Sequence, residues 1–234
     1  MPDDTIAIIL GRAGSKGLPG KNAHDLNGRP TVSYTIDHAI AASTVDRVIV
    51  STDDPAIADA ARTMQVDVID RPAELATDQA TVADATRHAL RASGSTADVV
   101  VVLYANVPVR PADLIDRAVT TLRSTGADSV QSYVRMGKHH PYWMVHLRDE
   151  GRIEQFIENS IDRRQDLPPL WLPDGGVAAI QRRWVDDDTV APPHGFLGID
   201  RRGIETREGD VVDIDSALDR DVAAALLRRR EIPA

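Results

Sequence analysis

The chain has 234 residues, with 27 Lys+Arg against 36 Asp+Glu, a formal charge of −9 and no cysteine. That length suits one α/β domain with a sizeable core, and the missing cysteines exclude a disulfide framework, a thiolate metal site and a cysteine nucleophile. An acidic balance argues against nucleic-acid binding; with no leader pattern and no apolar run near the roughly 18–20 residues of a membrane span, a cytoplasmic protein acting on small molecules and on no membrane is expected.

Taken in chain order, Thr5 to Leu10 reads as a buried strand running into a glycine-rich loop. A helix opens at Pro30 with Val32, Ile36, Ala39 and Ile40 on one face. Asp46 to Ser51 is a second strand, followed by a short helix opened by Pro55 and carrying Ile57, Ala58 and Ala61. Val66 to Ile69 reads as a third strand, Thr81 to Ala92 as a helix, and Asp98 to Tyr104, with four consecutive valines, as a fourth strand. Pro111 to Leu122 is helical, with Leu114, Ile115, Ala118 and Leu122 at helical spacing. This alternation is the pattern of a mostly parallel sheet covered by helices. Beyond about residue 130 the alternation is lost. Seven of the nine aromatic residues lie between Tyr133 and Phe196, with short strands expected at Ser129 to Val134, Tyr142 to Leu147 and Gly176 to Ile180. An inserted arm over 131–172 within a single domain, 1–234, is the expectation; its aromatic surface would close a pocket, cover a dimer interface or pack as a satellite core. A last strand, Asp210 to Ile214, leads into a helix from Ser216 to Arg230.

The first loop, Gly11-Arg12-Ala13-Gly14-Ser15-Lys16-Gly17-Leu18-Pro19-Gly20-Lys21-Asn22, sits where open α/β sheets bind nucleotides. It is not a P-loop, because Ser15 and Asn22 stand where Gly and Ser/Thr are required, and Ala13 breaks the three-glycine dinucleotide pattern. Four glycines and three cations in twelve residues offer a backbone nest with Arg12, Lys16 and Lys21 around it, suited to a triphosphate. Only three of the chain's cations are lysines, and two of them are here. Asp213-Ile214-Asp215 places two carboxylates on one side of an extended chain, a pair suited to Mg²⁺ or a solvated strand end. Arg71 to Asp78 reads as a base pocket or an ordinary loop, and Tyr104 to Arg110 as a loop facing the same sheet edge. His139 and His140 lack zinc spacing.

In these segments the sequence resembles the CMP-sugar synthetase family, and the acylneuraminate cytidylyltransferases in particular. The resemblance rests on Ile8 to Asn22, then Val50-Ser51-Thr52-Asp53, Arg71-Pro72-Ala73-Glu74-Leu75-Ala76, Pro108 with Arg110, His140-Pro141, Arg164-Gln165 ahead of Pro173, and Asp213-Ile214-Asp215. It implies a Rossmann-like nucleotidyltransferase fold, similar to glycosyltransferase-A, with helices on both faces of a mostly parallel sheet and an inserted dimerisation arm. It also implies a reaction in which CTP and a sialic-acid-like (nonulosonic) sugar acid give a CMP-sugar and pyrophosphate.

By the same resemblance Leu10, Gly11, Arg12, Ala13, Gly14, Ser15, Lys16, Lys21, Asn22, Arg71, Ala76, Asp78 and Thr81 would hold the nucleotide. Asp213 and Asp215 would bind Mg²⁺, and Arg12, Lys21, Asp213 and Asp215 would form the catalytic set. Tyr104, Asn106, Arg110, Lys138, His140, Arg164, Asp174 and Gly175 would meet the sugar, with the arm reaching across a homodimer. Two segments depart from the family: Tyr104-Ala105-Asn106-Val107-Pro108 replaces Gln-Pro-Thr-Ser-Pro, and Pro173-Asp174-Gly175-Gly176 replaces Pro-Asn-Gly. Both line the sugar side in the family, so the resemblance points to a reaction class and leaves the sugar open. Another sugar, GTP in place of CTP, and a non-catalytic nucleotide-binding relative are the alternatives.

Overall fold

A strand covered on both faces needs an unbroken apolar run rather than an alternating one, and β1 (Thr5–Leu10) has it, all six residues being buried. The structure, a computed structural model, describes residues 4–14, 17–189, 191 and 194–231; Ser15 and Lys16 of the expected nucleotide loop lie outside them. After β1 comes a small hairpin, β2 (Asp25–Leu26) and β3 (Arg29–Pro30). The chain then alternates through α1 (Thr31–Ala41), β4 (Arg47–Thr52), α2 (Pro55–Thr63), β5 (Asp67–Asp70), α3 (Val82–Ser93), β6 (Val99–Tyr104), α4 (Leu114–Thr125) and β7 (Ser129–Arg135). Residues 136–170 leave the main sheet and contain a second hairpin, β8 (Val145–Leu147) and β9 (Ile153–Gln155). The chain returns as β10 (Trp171–Gln181), α5 (Arg182–Asp186), β11 (Arg201–Thr206) and α6 (Ala217–Glu231).

The seven-stranded sheet has the order β11-β7-β10-β6-β1-β4-β5. Every pairing is parallel except those of β10, which runs antiparallel to both β6 and β7. The carboxyl ends of six strands therefore share one edge, and β10 begins at that edge. Alternate residues of the central strands feed two cores. Ala7, Ile9, Val101 and Leu103 pack with α1, α2 and α4, whereas Ile6, Ile8, Val100 and Val102 pack with α3 and α5. Fully burying one such side chain contributes about 1.5–3 kcal/mol, so both helix layers are anchored by the same short runs.

Local signals set the helix starts. Asp54 accepts a hydrogen bond from Ala56 N ahead of Pro55, and Thr81 caps α3 by accepting from Asp84 N at 3.0 Å. A third cluster seats α6 through Ala223 and Leu227 on Leu26, Tyr34, Val109 and Ile214.

Four expectations are corrected. Residues 210–214 form no sheet strand: they make one isolated antiparallel bridge, Val109↔Val212, because their apolar partners lie in the loop after β6. The last strand is β11, a charged edge strand with only Ile204 and Thr206 buried. Tyr142 to Leu147 is not one strand, since Pro141, which has no N–H for a ladder, opens a helical turn over Pro141–Trp143 before β8. Ile40 is exposed in the last turn of α1.

Candidate functional site

The shared carboxyl edge is where β1 passes into its glycine-rich loop. Ala105 N donates to Leu10 O at 3.0 Å and Gly11 N to Ser51 O at 3.1 Å, which pulls the loops after β1, β4 and β6 together. A Cβ on Gly11 would lie 2.8 Å from Ala105 Cβ and 3.1 Å from Ile57 Cδ1. Only glycine fits there. Ala13 N donates to Asp53 Oδ1 at 2.9 Å, and Asn22 Nδ2 reaches back to Arg12 O at 2.9 Å. Asn22 is buried, and its Oδ1 has no hydrogen-bond partner among the described residues.

A cleft of about 190 Å³ opens beside this loop, lined by Leu10, Arg12, Lys21, Asn22, Arg71, Thr81, Tyr104 and Asn106 together with Leu75, Thr77, Ala80, Val82 and Ala85. Arg12 spans its mouth, donating to Asp78 Oδ1 at 2.6 Å and to Ala76 O at 3.2 Å. Arg71 is anchored on β4, with Nη2 2.8 Å from Ser51 O and Nε 3.2 Å from Ser51 Oγ. Burial pulls its guanidinium below the usual arginine value, against the attraction of Asp53.

The acidic pair adjoins two of the lining residues, Lys21 and Asn106. Lys21 Nζ lies 2.5 Å from Asp215 Oδ1, and Asn106 Nδ2 donates to Asp213 Oδ1 and, at 3.2 Å, to Ile214 O. Two backbone bonds, Ile214 N to Asn106 O and Val212 N to Val109 O, keep 212–214 extended. Ile214 therefore points into the core while Asp213 and Asp215 are exposed on the other side. Although Asp213 keeps solvent-exposed surface, its carboxyl faces inward onto Asn106 and Gly175. Local burial first, then the charge of Asp215, push it up to about 6, with Lys21 and Asn106 acting in the opposite direction. Burial and Asp213 also raise the Tyr104 hydroxyl. The backbones come close here as well, since a Cβ on Gly17 would meet Asp215 O at 2.7 Å.

The residues expected at the sugar end divide. Tyr104 and Asn106 line the cleft. Gly175, at φ +75°, lies in an irregular stretch of β10 between Pro173 and Ala178, and a Cβ there would sit 3.7 Å from Asp213 Oδ2. Three others do not present free groups to a ligand. Arg110 is 0 % exposed. Asp174 spends its oxygens on Ser132 Oγ and Thr206 Oγ1, both at 2.5 Å, and on Gly176 N. His140 is buried within the arm, its Nδ1 accepting from Tyr142 N and its Nε2 3.1 Å from Pro168 O. Lys138 is exposed on the arm. Arg164 lines a separate cleft of about 630 Å³ with Arg135, Arg207 and Thr206, at the ends of β7 and β11. Among the described residues, none of the arm lines the first cleft.

The sequence reading missed Val82 and Ala85, which form an apolar wall with Leu75 of the expected 71–78 stretch. Their available signal was the apolar periodicity entering α3. Among the described residues no group of three or more His, Cys, Asp or Glu side chains could hold a metal, and no helix is long and apolar enough to cross a membrane.

A family model described as Cytidylyltransferase matches residues 6–154. The N-acylneuraminate cytidylyltransferase of Streptococcus agalactiae serotype V is 36 % identical over 175 residues, covering 74 % of this chain and 42 % of the relative. The chain thus spans well under half the length of the first curated relatives it matches. The pseudaminic acid cytidylyltransferase of Campylobacter jejuni serotype O:2 is 25 % identical over 230 residues, covering 95 % and 96 %. Among solved structures, CMP:2-keto-3-deoxy-manno-octonic acid synthetase complexed with CTP superposes with a TM-score of 0.74 at 17 % identity, over 97 % of this chain and 99 % of that one. The 4-diphosphocytidyl-2C-methyl-D-erythritol synthase of Anaerococcus prevotii gives 0.63 at 14 %, over 96 % of each chain. At these identities the two structures speak to the fold alone.

Proposed function

Because the chain belongs to the cytidylyltransferase family, we propose that it activates a nonulosonic, sialic-acid-like sugar acid with CTP, giving a CMP-sugar and pyrophosphate. The observation that carries this reading is that Arg12, Lys21 and Asn106 line one cleft, with Asp215 paired to Lys21 and Asp213 held by Asn106 at its border.

In the reaction the anomeric hydroxyl attacks the α-phosphorus in line, and the bond to the pyrophosphate oxygen breaks. Such a displacement depends on positioning and on neutralising charge. Arg12 and Lys21 exchange their internal carboxylates for phosphate oxygens, and the backbone amides of the glycine-rich loop complete the anion site. The buried Oδ1 of Asn22, without a partner among the described residues, is an acceptor for a ribose hydroxyl or the cytosine amine. Leu10, Val82 and Ala85 supply apolar surface for the base.

The donor set fits Mg²⁺, which is commonly held by one or two carboxylates together with substrate phosphates and water. Asp213 and Asp215 would hold it; bound, it neutralises phosphate charge and orients the leaving group. Because the Asp213 carboxyl is raised to about 6, protons compete for this site below that pH. Tyr104, Asn106 and Gly175 border the space left for the sugar acid. The arm, 131–172, carries Leu147, Ile153 and Phe156 largely exposed; it pairs with a second copy, and Lys138 and Arg164 serve the dimer's sugar sites. A cytoplasmic location goes with the nucleotide substrate.

The test is a coupled pyrophosphate assay over a panel of sugar acids, with CTP against the other nucleoside triphosphates and Mg²⁺ present. Release with CTP and at least one sugar acid supports the reading. Folded protein that releases none refutes it, and release only with GTP moves it to the other nucleotide.

A further inference from the structure

A fully buried arginine is costly unless its charge and its donors are all used, and Arg110 is the largest fully buried side chain among the described residues. Burial lowers its guanidinium to about 9, opposed by Asp174 and Asp213, so it stays protonated at neutral pH. Its Nε donates to Gly176 O at 3.1 Å and its Nη1 to Thr35 Oγ1 at 3.2 Å. These two bonds lead to opposite sides of the Asp213 carboxyl.

On one side, Gly176 adjoins Gly175, where an added Cβ would lie 3.7 Å from Asp213 Oδ2. Asp174 accepts from Gly176 N at 2.9 Å, so Arg110 and Asp174 clamp both polar groups of the Gly176 backbone. On the other side, Thr35 Oγ1 lies 3.1 Å from Tyr104 O and 3.0 Å from Val107 O, which share its single proton. These carbonyls flank Asn106, whose amide holds Asp213 Oδ1.

We propose that Arg110 is a positioning residue: its fork ties the start of β10 to the loop after β6 and thereby fixes the Asp213 carboxylate for metal binding. The inference rests on the reading of Asp213 as a metal ligand. A point charge does not replace the fork, because lysine cannot span Gly176 O and Thr35 Oγ1 with two coplanar donors.

The experiment uses the full chain and Mn²⁺ as probe, titrated by electron paramagnetic resonance in the presence of CTP, beside steady-state pyrophosphate release. The variants are Arg110→Met, Arg110→Lys, Thr35→Val and Thr35→Ser. Removing a residue that orients a metal ligand weakens metal affinity or activity about 10–100-fold. The expected result is a rise of that size in the Mn²⁺ dissociation constant and a matching fall in kcat for Arg110→Met, Arg110→Lys and Thr35→Val. KM for CTP should stay within about threefold, and Thr35→Ser, which keeps the hydroxyl, should return near wild type. Thr35→Val is isosteric and carries the test if Arg110→Met fails to fold. Folded Arg110→Met or Thr35→Val with wild-type Mn²⁺ affinity overturns the proposal, as does a loss confined to KM. A wild-type protein that binds Mn²⁺ with CTP but turns over no sugar acid removes the functional reading, and the Mn²⁺ comparison then decides the role of Arg110 by itself.

Discussion

Replacing Lys21 by methionine removes an ammonium that faces the acidic pair while keeping most of the side chain's bulk. In the structure its Nζ is 2.5 Å from Asp215 Oδ1, and the side chain is only 15 % exposed, so solvent screens it less than a surface lysine. Two unit charges about 4 Å apart at an effective dielectric near 20 interact by about 4 kcal/mol. Deleting one fixed donor to a developing anion costs about 2.7–4 kcal/mol, or roughly 10²–10³ in kcat. The two estimates agree, and Lys21→Met is expected to lower kcat for pyrophosphate release by that factor. A second signature follows from the carboxylates. Lys21 holds Asp213 down, so its loss moves that carboxyl further above about 6 and shifts the acid limb of the pH–rate profile to higher pH. The control is Arg202→Ala, whose partner Asp200 is 2.8 Å away in an exposed pair worth at most about 1 kcal/mol. A Lys21→Met enzyme within about threefold of wild type, or an Arg202→Ala enzyme equally impaired, refutes the placement of the site.

Three further outcomes are expected. Asp213 titrates near 3.9 in an unfolded chain but near 6 in the fold, so its contribution to stability is full below the unfolded value and is lost as pH rises through about 6. Asp213→Asn should therefore raise the melting temperature at pH 8 and give no gain at pH 4; equal shifts at both values would contradict this. Asp215→Asn should raise the half-saturating Mg²⁺ concentration about tenfold or more, and an unchanged metal titration removes the assignment. Gly11→Ala, which forces a Cβ to 2.8 Å from Ala105 Cβ, should cost about 1–3 kcal/mol in urea unfolding; an unaltered midpoint would mean the loops yield without strain.

The parts of the fold legible in sequence are those set by local rules. Thr5 to Leu10 is apolar almost throughout because it is buried on both faces, and Pro30 and Pro55 mark helix starts whatever surrounds them. The stretch Val211-Val212-Asp213-Ile214 looks like a strand for the same reason that misleads: β-branched residues report burial, not which neighbour supplies it. Here the neighbour is the Asn106–Val109 loop. The true edge strand, Arg201–Thr206, hides because edges are blunted with charge. The family resemblance places Arg110 and His140 at the sugar, but both are buried. Their burial depends on Thr35, Gly176, Tyr142 and Pro168, which come from 2 to 75 positions away along the chain. In the site itself, the cationic loop and the Asp213–Asp215 pair stood out by composition, whereas Thr35, Val82 and Ala85 did not, since single residues in regular elements carry no local mark of what they touch.

The single reversed strand has a mechanical consequence. β10 starts where residues 136–170 end and comes near Asp213 at Gly175, its fifth residue. A displacement of the hairpin would therefore reach the carboxylate along one continuous strand.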